Sequence, residues 1–491
     1  MRNLRYLVSV IILIIGPNFI PSSYAATLWE QRGKVIQATK ESKPVEEPSE
    51  SEETILDKSE VKKDVSDLSI EPTDIVIPDQ YGTIIETHEG TNGKLIVHVQ
   101  DAHMNYEGQK NAAHILESLI EDYGLKLILL EGKVSSLNFN YIRARSPLDE
   151  RIGKADELLK KGEINGVNYL NIATDYHIII HGVEDKRIYD ENRQALWEID
   201  RFKDLASEYV NKLIVVSDVL KTKIYSENLL GLDKKKKDYD SENIGLMAYY
   251  EYLYKKAEEE GIPLYVFPNF QNLIKASDLE KKIDLEAIRN NTALDEEKKL
   301  YNEYTRLTRD LNINELFKEE PLLEGVLYDT FAANSNQKKL SRISKALSIM
   351  GNLLKIKVVP EEYKYFEDNK KDFDPAFWLE FLKAKSQELG ISLDIPANYY
   401  VISDNLPKIE KFYGLAFERD SVFVKRAGEH INNENVKLAA LVAGGFHTPT
   451  LTKLLKDEGY SYIVVSPRVR TETDDELYRS ALKREWLPEI E

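Results

Sequence analysis

Leu95-Ile96-Val97-His98-Val99-Gln100-Asp101-Ala102-His103 begins as an apolar run of strand length and ends in polar groups. A short, nearly continuous aliphatic run without polar alternation predicts a strand buried on both faces. Downstream, Ala112, Ile115, Leu116, Leu119, Ile120 and Tyr123 keep the i, i+3, i+4, i+7 rhythm of one helical face, and Gly124 supplies the stop. Leu127-Ile128-Leu129-Leu130 is the next strand. Strand, helix and strand in this order predict a βαβ unit, hence parallel strands in a sheet covered by helices.

The same grammar returns near the C-terminus. Leu438 to Val442 reads as a strand, Thr448-Pro449 opens a helix striped by Leu451, Leu454 and Leu455, Gly459 ends it, and Tyr462-Ile463-Val464-Val465 closes the pattern. This is a weak internal repeat: strand, histidine-bearing loop, helix, glycine, strand. Ile178-Ile179-Ile180 predicts a further strand, and Pro263-Leu264-Tyr265-Val266-Phe267 another. Between these parts the chain is charged, amphipathic and mostly helical. The expected fold class is α/β, a mostly parallel sheet flanked by helices, with residues 75–190 and 411–491 forming the sheet domain and 191–410 a large helical insertion. Within the insertion, Lys234 to Lys237 read as a solvated loop. Tyr249, Tyr250, Tyr252 and Tyr254 read as helix-packing residues, with a ligand-pocket lining as the alternative.

The N-terminus has the three parts of a signal peptide: Arg2 and Arg5, an apolar run from Leu7 to Ile15, and Ser23-Tyr24-Ala25, after which cleavage is expected. The run falls short of the about 20 apolar residues that span a bilayer, so residues 1–25 are expected to be removed and to leave no stable membrane span. Residues 26–74 form an acidic linker. Its Glu46-Glu47-Pro48-Ser49-Glu50-Ser51-Glu52-Glu53 core has too little apolar surface to offset the entropy of ordering, which predicts disorder. The exported chain would be periplasmic or secreted.

Composition narrows the chemistry. There is no cysteine, so disulfides, thiolate nucleophiles and Cys-ligated zinc are excluded. The net charge of −18 becomes −20 when Arg2 and Arg5 leave. That balance excludes nucleic acid as a natural partner, because phosphate binding needs a basic surface. The expected partner is a peptide or small-molecule substrate; the oligomeric state is not written in the sequence.

Ligands of open parallel α/β sheets bind beyond the carboxyl ends of the strands. Here the first strand runs into Asp101-Ala102-His103, the second into Glu131-Gly132, the third into His181-Gly182-Val183-Glu184-Asp185, and the C-terminal repeat into Gly444-Gly445-Phe446-His447. If these strands are parallel neighbours, acids and histidines meet at one edge, and two of only eight histidines head the two repeated loops. Singly, each residue is more often a loop or capping group. Arg419 falls on an apolar stripe with Phe412, Leu415, Ala416, Phe423 and Ala427; an inward guanidinium needs a carboxylate or an anionic ligand. His430 shares that face with a weaker claim. His88, His98, His114, His177 and His181 read as structural or surface residues.

Phe417-Glu418-Arg419-Asp420 and Leu441-Val442-Ala443-Gly444-Gly445-Phe446-His447, with Asp101-Ala102-His103, Gln109, Leu129-Leu130-Glu131-Gly132 and Gly182-Val183-Glu184-Asp185 upstream, resemble the superfamily of TraB and PrgY pheromone-shutdown proteins, Tiki proteases, ChaN-like proteins and erythromycin esterases. The likeness covers about residues 90–190 and 410–468. The family usually opens its first motif with Gly where this chain has Gln100. The resemblance implies an α/β sheet with inserted helices and a site of paired histidine loops, a Glu and an Arg. It implies metal-dependent peptide hydrolysis in the Tiki branch, metal-free His/Glu-assisted ester hydrolysis in the esterase branch, and haem binding in the ChaN branch.

The preferred expectation is hydrolysis of a peptide or ester bond outside the cytoplasm. His103, Glu131 and His447 would hold a divalent transition metal of the Zn, Mn or Co type, which acidifies its bound water. Glu131 or Glu184 would serve as ligand or base and Arg419 would stabilise the oxyanion; without metal, His103 would be the base. The alternatives are a haem or small-molecule binding protein without turnover, and a purely structural member of the family.

Overall fold

The structure is a computed structural model that describes residues 70–471 except 242, 285–286, 289–291 and 310. The expected signal peptide and nearly all of the acidic linker lie outside the described residues. The described end of that linker is ordered: Pro72–Asp74 form a 3-10 turn with Pro72 buried. Among the described residues no helix is long and apolar enough to cross a membrane.

The chain divides into two compact units. One comprises Lys203–Asp404; the other comprises the described residues up to Phe202 and from Asn405 onward. The expected boundaries at 190 and 411 shift because the helix Lys186–Asp200 packs along the helix Leu406–Asn433 and so belongs with the sheet.

The sheet unit holds six strands: β1 (Gly82–His88), β2 (Leu95–Asp101), β3 (Leu127–Leu130), β4 (Ile179–Gly182), β5 (Leu438–Gly444) and β6 (Ser461–Pro467). Their spatial order is β1-β6-β2-β5-β3-β4. All neighbours are parallel except β1, which runs antiparallel to β6. Sequence reading found every strand but β1, whose Thr83-Ile84-Ile85 core is β-branched but too polar around it to stand out.

Sheet order explains the repeat. From β2 the chain crosses over β5 to reach β3, and from β5 it crosses over β2 in the opposite direction to reach β6. Parallel crossovers are right-handed, so opposite directions put the two connecting helices on opposite faces. Accordingly Ile115, Leu116 and Leu119 of the helix Tyr106–Tyr123 pack on one face with Val97 and Val99. Leu451 and Leu455 of the helix Thr448–Asp457 pack on the other with Ile96, Phe423 and Ala427. The carboxyl ends of β2 and β5 therefore flank a switch point where the connections diverge and leave a crevice. Both helix ends that follow are terminated by left-handed glycines, Gly124 (φ 67°) and Gly459 (φ 75°).

The Lys203–Asp404 unit is helical, with no strand among its described residues. The strand expected at Pro263–Phe267 is instead a 3-10 turn, Leu264–Val266, leading into the helix Pro268–Glu280. Tyr265 and Val266 face solvent, so the run lacks the two-sided burial that an uninterrupted apolar strand implies. Lys234–Lys237 are not a loop but part of the helix Glu227–Asp240; Lys236 pairs with Asp240 at 3.0 Å, and lysine is a good helix former. Tyr249 and Tyr250 are fully buried, and their hydroxyls donate to Glu324 and Glu320.

Candidate functional site

β2 and β5 end in register, with Asp101 opposite Gly444, and β3 ends two residues earlier, with Leu130 opposite Val442. This alignment brings the loops after all three strands together. Glu131, first residue past β3, turns into the crevice: its Oε2 accepts the Gly444 N–H at 2.7 Å and its Oε1 accepts from Arg419 Nη2 at 2.9 Å. His447 Nε2 lies 3.2 Å from the same Oε1.

Each histidine of the repeat is held through Nδ1 by an aspartate. His447 pairs there with Asp420, the residue after Arg419 on the helix Leu406–Asn433. His103 Nδ1 lies 2.9 Å from Asp101 Oδ2. Asp101 is fixed in turn by the buried Gln109, whose amide donates to Asp101 and to the Ala102 carbonyl while its oxygen accepts the Gly166 N–H. Both rings thus turn Nε2 toward the crevice. A point where a Cβ on Gly444 would sit lies 3.6 Å from Glu131 Oε2, 3.7 Å from His103 Nε2 and 3.9 Å from His447 Cδ2. That point is the centre of the site. Met104, between His103 and the helix-capping Asn105, has φ 61°, a non-glycine left-handed residue of the kind that costs free energy and gathers at functional loops.

The two histidines differ in exposure. His103 is 42 % exposed through its side chain and His447 only 6 %. Burial disfavours a charge on His447, but the carboxylates of Glu131 and Asp420 outweigh it and raise its pKa to about 9. Burial opposes ionisation of Glu131 too, yet His447, Arg419 and His103 hold it well below the usual carboxylate range. Glu131 is therefore an anion and His447 a cation at neutral pH.

Arg419 lies behind this group. Its Nε donates to Glu184 Oε2 at 3.1 Å, its Nη1 to Asn192 Oδ1 at 3.1 Å, and its Nη2 to both Glu131 and Glu184. Glu184 is fully buried and also accepts the Gly132 N–H at 3.0 Å; burial raises its pKa against the pull of Arg419. The structure brings together all five residues singled out in the sequence, but in two layers. His103, Glu131 and His447 face the crevice. Arg419 and Glu184 form a buried ion pair beside them, from which Arg419 also donates to Glu131.

Sequence reading assigned no role to Asp101 or Asp420. The signal for Asp420 was its place beside the inward Arg419; the signal for Asp101 was its place two residues before His103. Gln100, where the resembled family has Gly, is buried and donates to Thr448 Oγ1 at 3.0 Å. The same hydroxyl lies 2.9 Å from His98 Nε2, so these β2 side chains tie down the helix that follows His447. Burial lowers the His98 pKa to about 4, and this histidine is a neutral structural group. His181 stacks on His430 at 4.2 Å and pairs with Glu434, outside the site.

Among the described residues no group of three or more His, Asp or Glu side chains is arranged to hold a metal ion. His103, Glu131 and His447 nonetheless have the chemistry of a ligand set, because metal-binding histidines commonly anchor their second nitrogen on a carboxylate, as both do here. An ion between them would have to part Glu131 from His447. Comparison with protein-family models, curated proteins and solved structures finds no match to this chain.

Proposed function

We propose that this chain is an exported hydrolase of peptide or ester bonds, acting in the periplasm or outside the cell, with its reacting centre in the crevice between β2 and β5. The observation that carries the reading is the pair of Asp–His dyads, Asp101–His103 and Asp420–His447, whose rings meet the Glu131 carboxylate around one point beside Gly444.

His103, the accessible ring, takes the proton of an attacking water at Nε2, with Asp101 holding Nδ1 and steadying the imidazolium that forms. His447, cationic and buried, supplies positive charge and a proton to the oxygen or nitrogen that leaves. Glu131 keeps His447 charged, and Arg419 with Glu184 keeps Glu131 in place. A divalent ion of the Zn, Mn or Co type would be held by His103, Glu131 and His447 and would supply an acidified water. The residue pattern shared with the TraB, Tiki and erythromycin-esterase superfamily supports the same reading.

The test assays purified mature protein on p-nitrophenyl esters and quenched fluorescent peptides, beside His103→Ala/His447→Ala, with elemental analysis of both. Turnover lost in the double variant is expected. About one equivalent of metal lost with it would assign the metal-dependent form. Equal turnover in parent and variant would end the assignment. No turnover, with a Soret band on haem titration that disappears in His447→Ala, would replace hydrolysis by ligand binding.

A further inference from the structure

The crevice is polar at its floor, but one wall is aromatic. Phe446 directly precedes His447, and its ring stands nearly perpendicular to the imidazole with centroids 5.5 Å apart. It also meets Phe417 at 5.7 Å and Tyr413 at 6.1 Å. Tyr413 and Phe417 are one helical turn apart on Leu406–Asn433, so they present one continuous face. Burial separates these rings into two kinds. Tyr413, Phe412 and Phe423 are buried and pack the helix, whereas Phe417 and Phe446 are only partly covered.

Gly444 and Gly445 contribute no side chain between this wall and the central point, and a Cβ on Gly445 would meet only Gln100, at 3.6 Å. The wall therefore adjoins the charged centre without a barrier of side chains from that loop. Nothing in the hydrolytic chemistry requires an aromatic surface there, and the buried Tyr413 already packs the helix without Phe446.

We propose, resting on the hydrolase reading, that Phe446 and Phe417 form an apolar subsite for an aromatic or long aliphatic group beside the scissile bond. The substrate class is then an ester or amide of an apolar acid. Such a group lies against two ring faces while the carbonyl is presented to His103, Glu131 and His447. Small acyl groups leave the wall wetted and gain nothing from it. A lost aromatic face is worth roughly tenfold in affinity.

The experiment compares p-nitrophenyl 3-phenylpropionate with p-nitrophenyl acetate, and separately measures binding of 3-phenylpropionate by calorimetry, on the full mature chain and on Phe446→Ala, Phe417→Ala and Phe446→Leu. Thermal melts confirm that each variant is folded; Phe446→Leu keeps the volume if alanine does not. The parent is expected to favour the phenylpropionate ester by roughly tenfold or more in kcat/KM. Either alanine variant should cut that ratio roughly tenfold through KM and weaken 3-phenylpropionate binding to match. An unchanged ratio with unchanged binding overturns the subsite. If the parent hydrolyses neither ester, the hydrolase reading fails, and the binding arm still decides: 3-phenylpropionate bound by the parent and weakened in Phe446→Ala upholds the subsite, and no binding or equal binding removes it.

Discussion

His447 Nε2 lies 3.2 Å from Glu131 Oε1, inside a crevice that excludes most water from both. The pair fixes the charge state of the site. The folded-state pKa of His447, about 9, stands above the usual value of about 6.5. Its stabilising contribution is therefore fully present below pH 6.5 and is lost as pH rises through 9. Urea melts at pH 6 and pH 10 should show the parent losing on the order of 3 kcal/mol more than His447→Gln. A parent and variant that fall in parallel would show that the imidazole is not charged in the fold. Glu131→Gln removes the largest influence holding that charge. It should move the His447 titration, read by NMR, down toward the usual value and lower kcat by about 10²–10⁴.

In the proposed mechanism Asp101 acts through His103, whose Nδ1 it holds at 2.9 Å. Asp101→Asn is expected to leave the melting temperature close to that of the parent while kcat falls by roughly 10²-fold or more. In a double-mutant cycle with His103→Ala, adding the aspartate change to the histidine change should cost almost nothing further. Additive losses would mean that Asp101 has a role of its own.

Gly444 leaves the central point open. Its backbone, φ −58° and ψ 147°, is one alanine adopts freely, and the new methyl would meet its neighbours at 3.6–3.9 Å, ordinary contact distances. Gly444→Ala should fold with an unchanged melting temperature yet lose roughly 10²-fold in kcat/KM, since the methyl occupies the space of the reacting group. Retained activity would place the reaction elsewhere.

In the helical unit, Glu280 is buried with neither carboxylate oxygen hydrogen-bonded, beside the apolar cluster of Ala276, Ile283, Tyr304 and Leu307. Burial pushes its pKa up to about 7, against a smaller pull from Lys281. An acid with a raised folded pKa is stabilised when protonated, so this unit should be firmest below pH 4.5 as far as Glu280 is concerned and weaken as pH rises through 7. Glu280→Gln should raise the melting temperature at pH 8 by an amount equivalent to on the order of 2 kcal/mol and do little at pH 5. An equal effect at both pH values would contradict the shift.

The strands around His103 and His447 were legible because both-face burial demands uninterrupted aliphatic runs, and few other segments of this chain have them. The candidate residues were legible for a related reason: a parallel sheet carries its ligands at one edge, so polar groups at strand ends are marked by position alone. β1 escaped because an edge strand buried mainly on one side needs no such run. Pro263–Phe267 misled because a short apolar segment reads alike as strand or helix entry until its burial is known.

The sequence by itself determined the sheet, its covering helices and which side chains stand at the carboxyl edge, since period and apolar length follow from local geometry. Only the tertiary structure decided their roles. Distances between residues hundreds of positions apart depend on strand order, and here that order places β5 directly beside β2. That adjacency brings the loops carrying His103 and His447 together, while the pairing of β5 with β3 brings Glu131 to His447 and the helix Leu406–Asn433 brings Asp420 and Arg419 to the same group. The sign of each charge was set by how much water each group lost and which partner replaced it, and neither is encoded in any one segment.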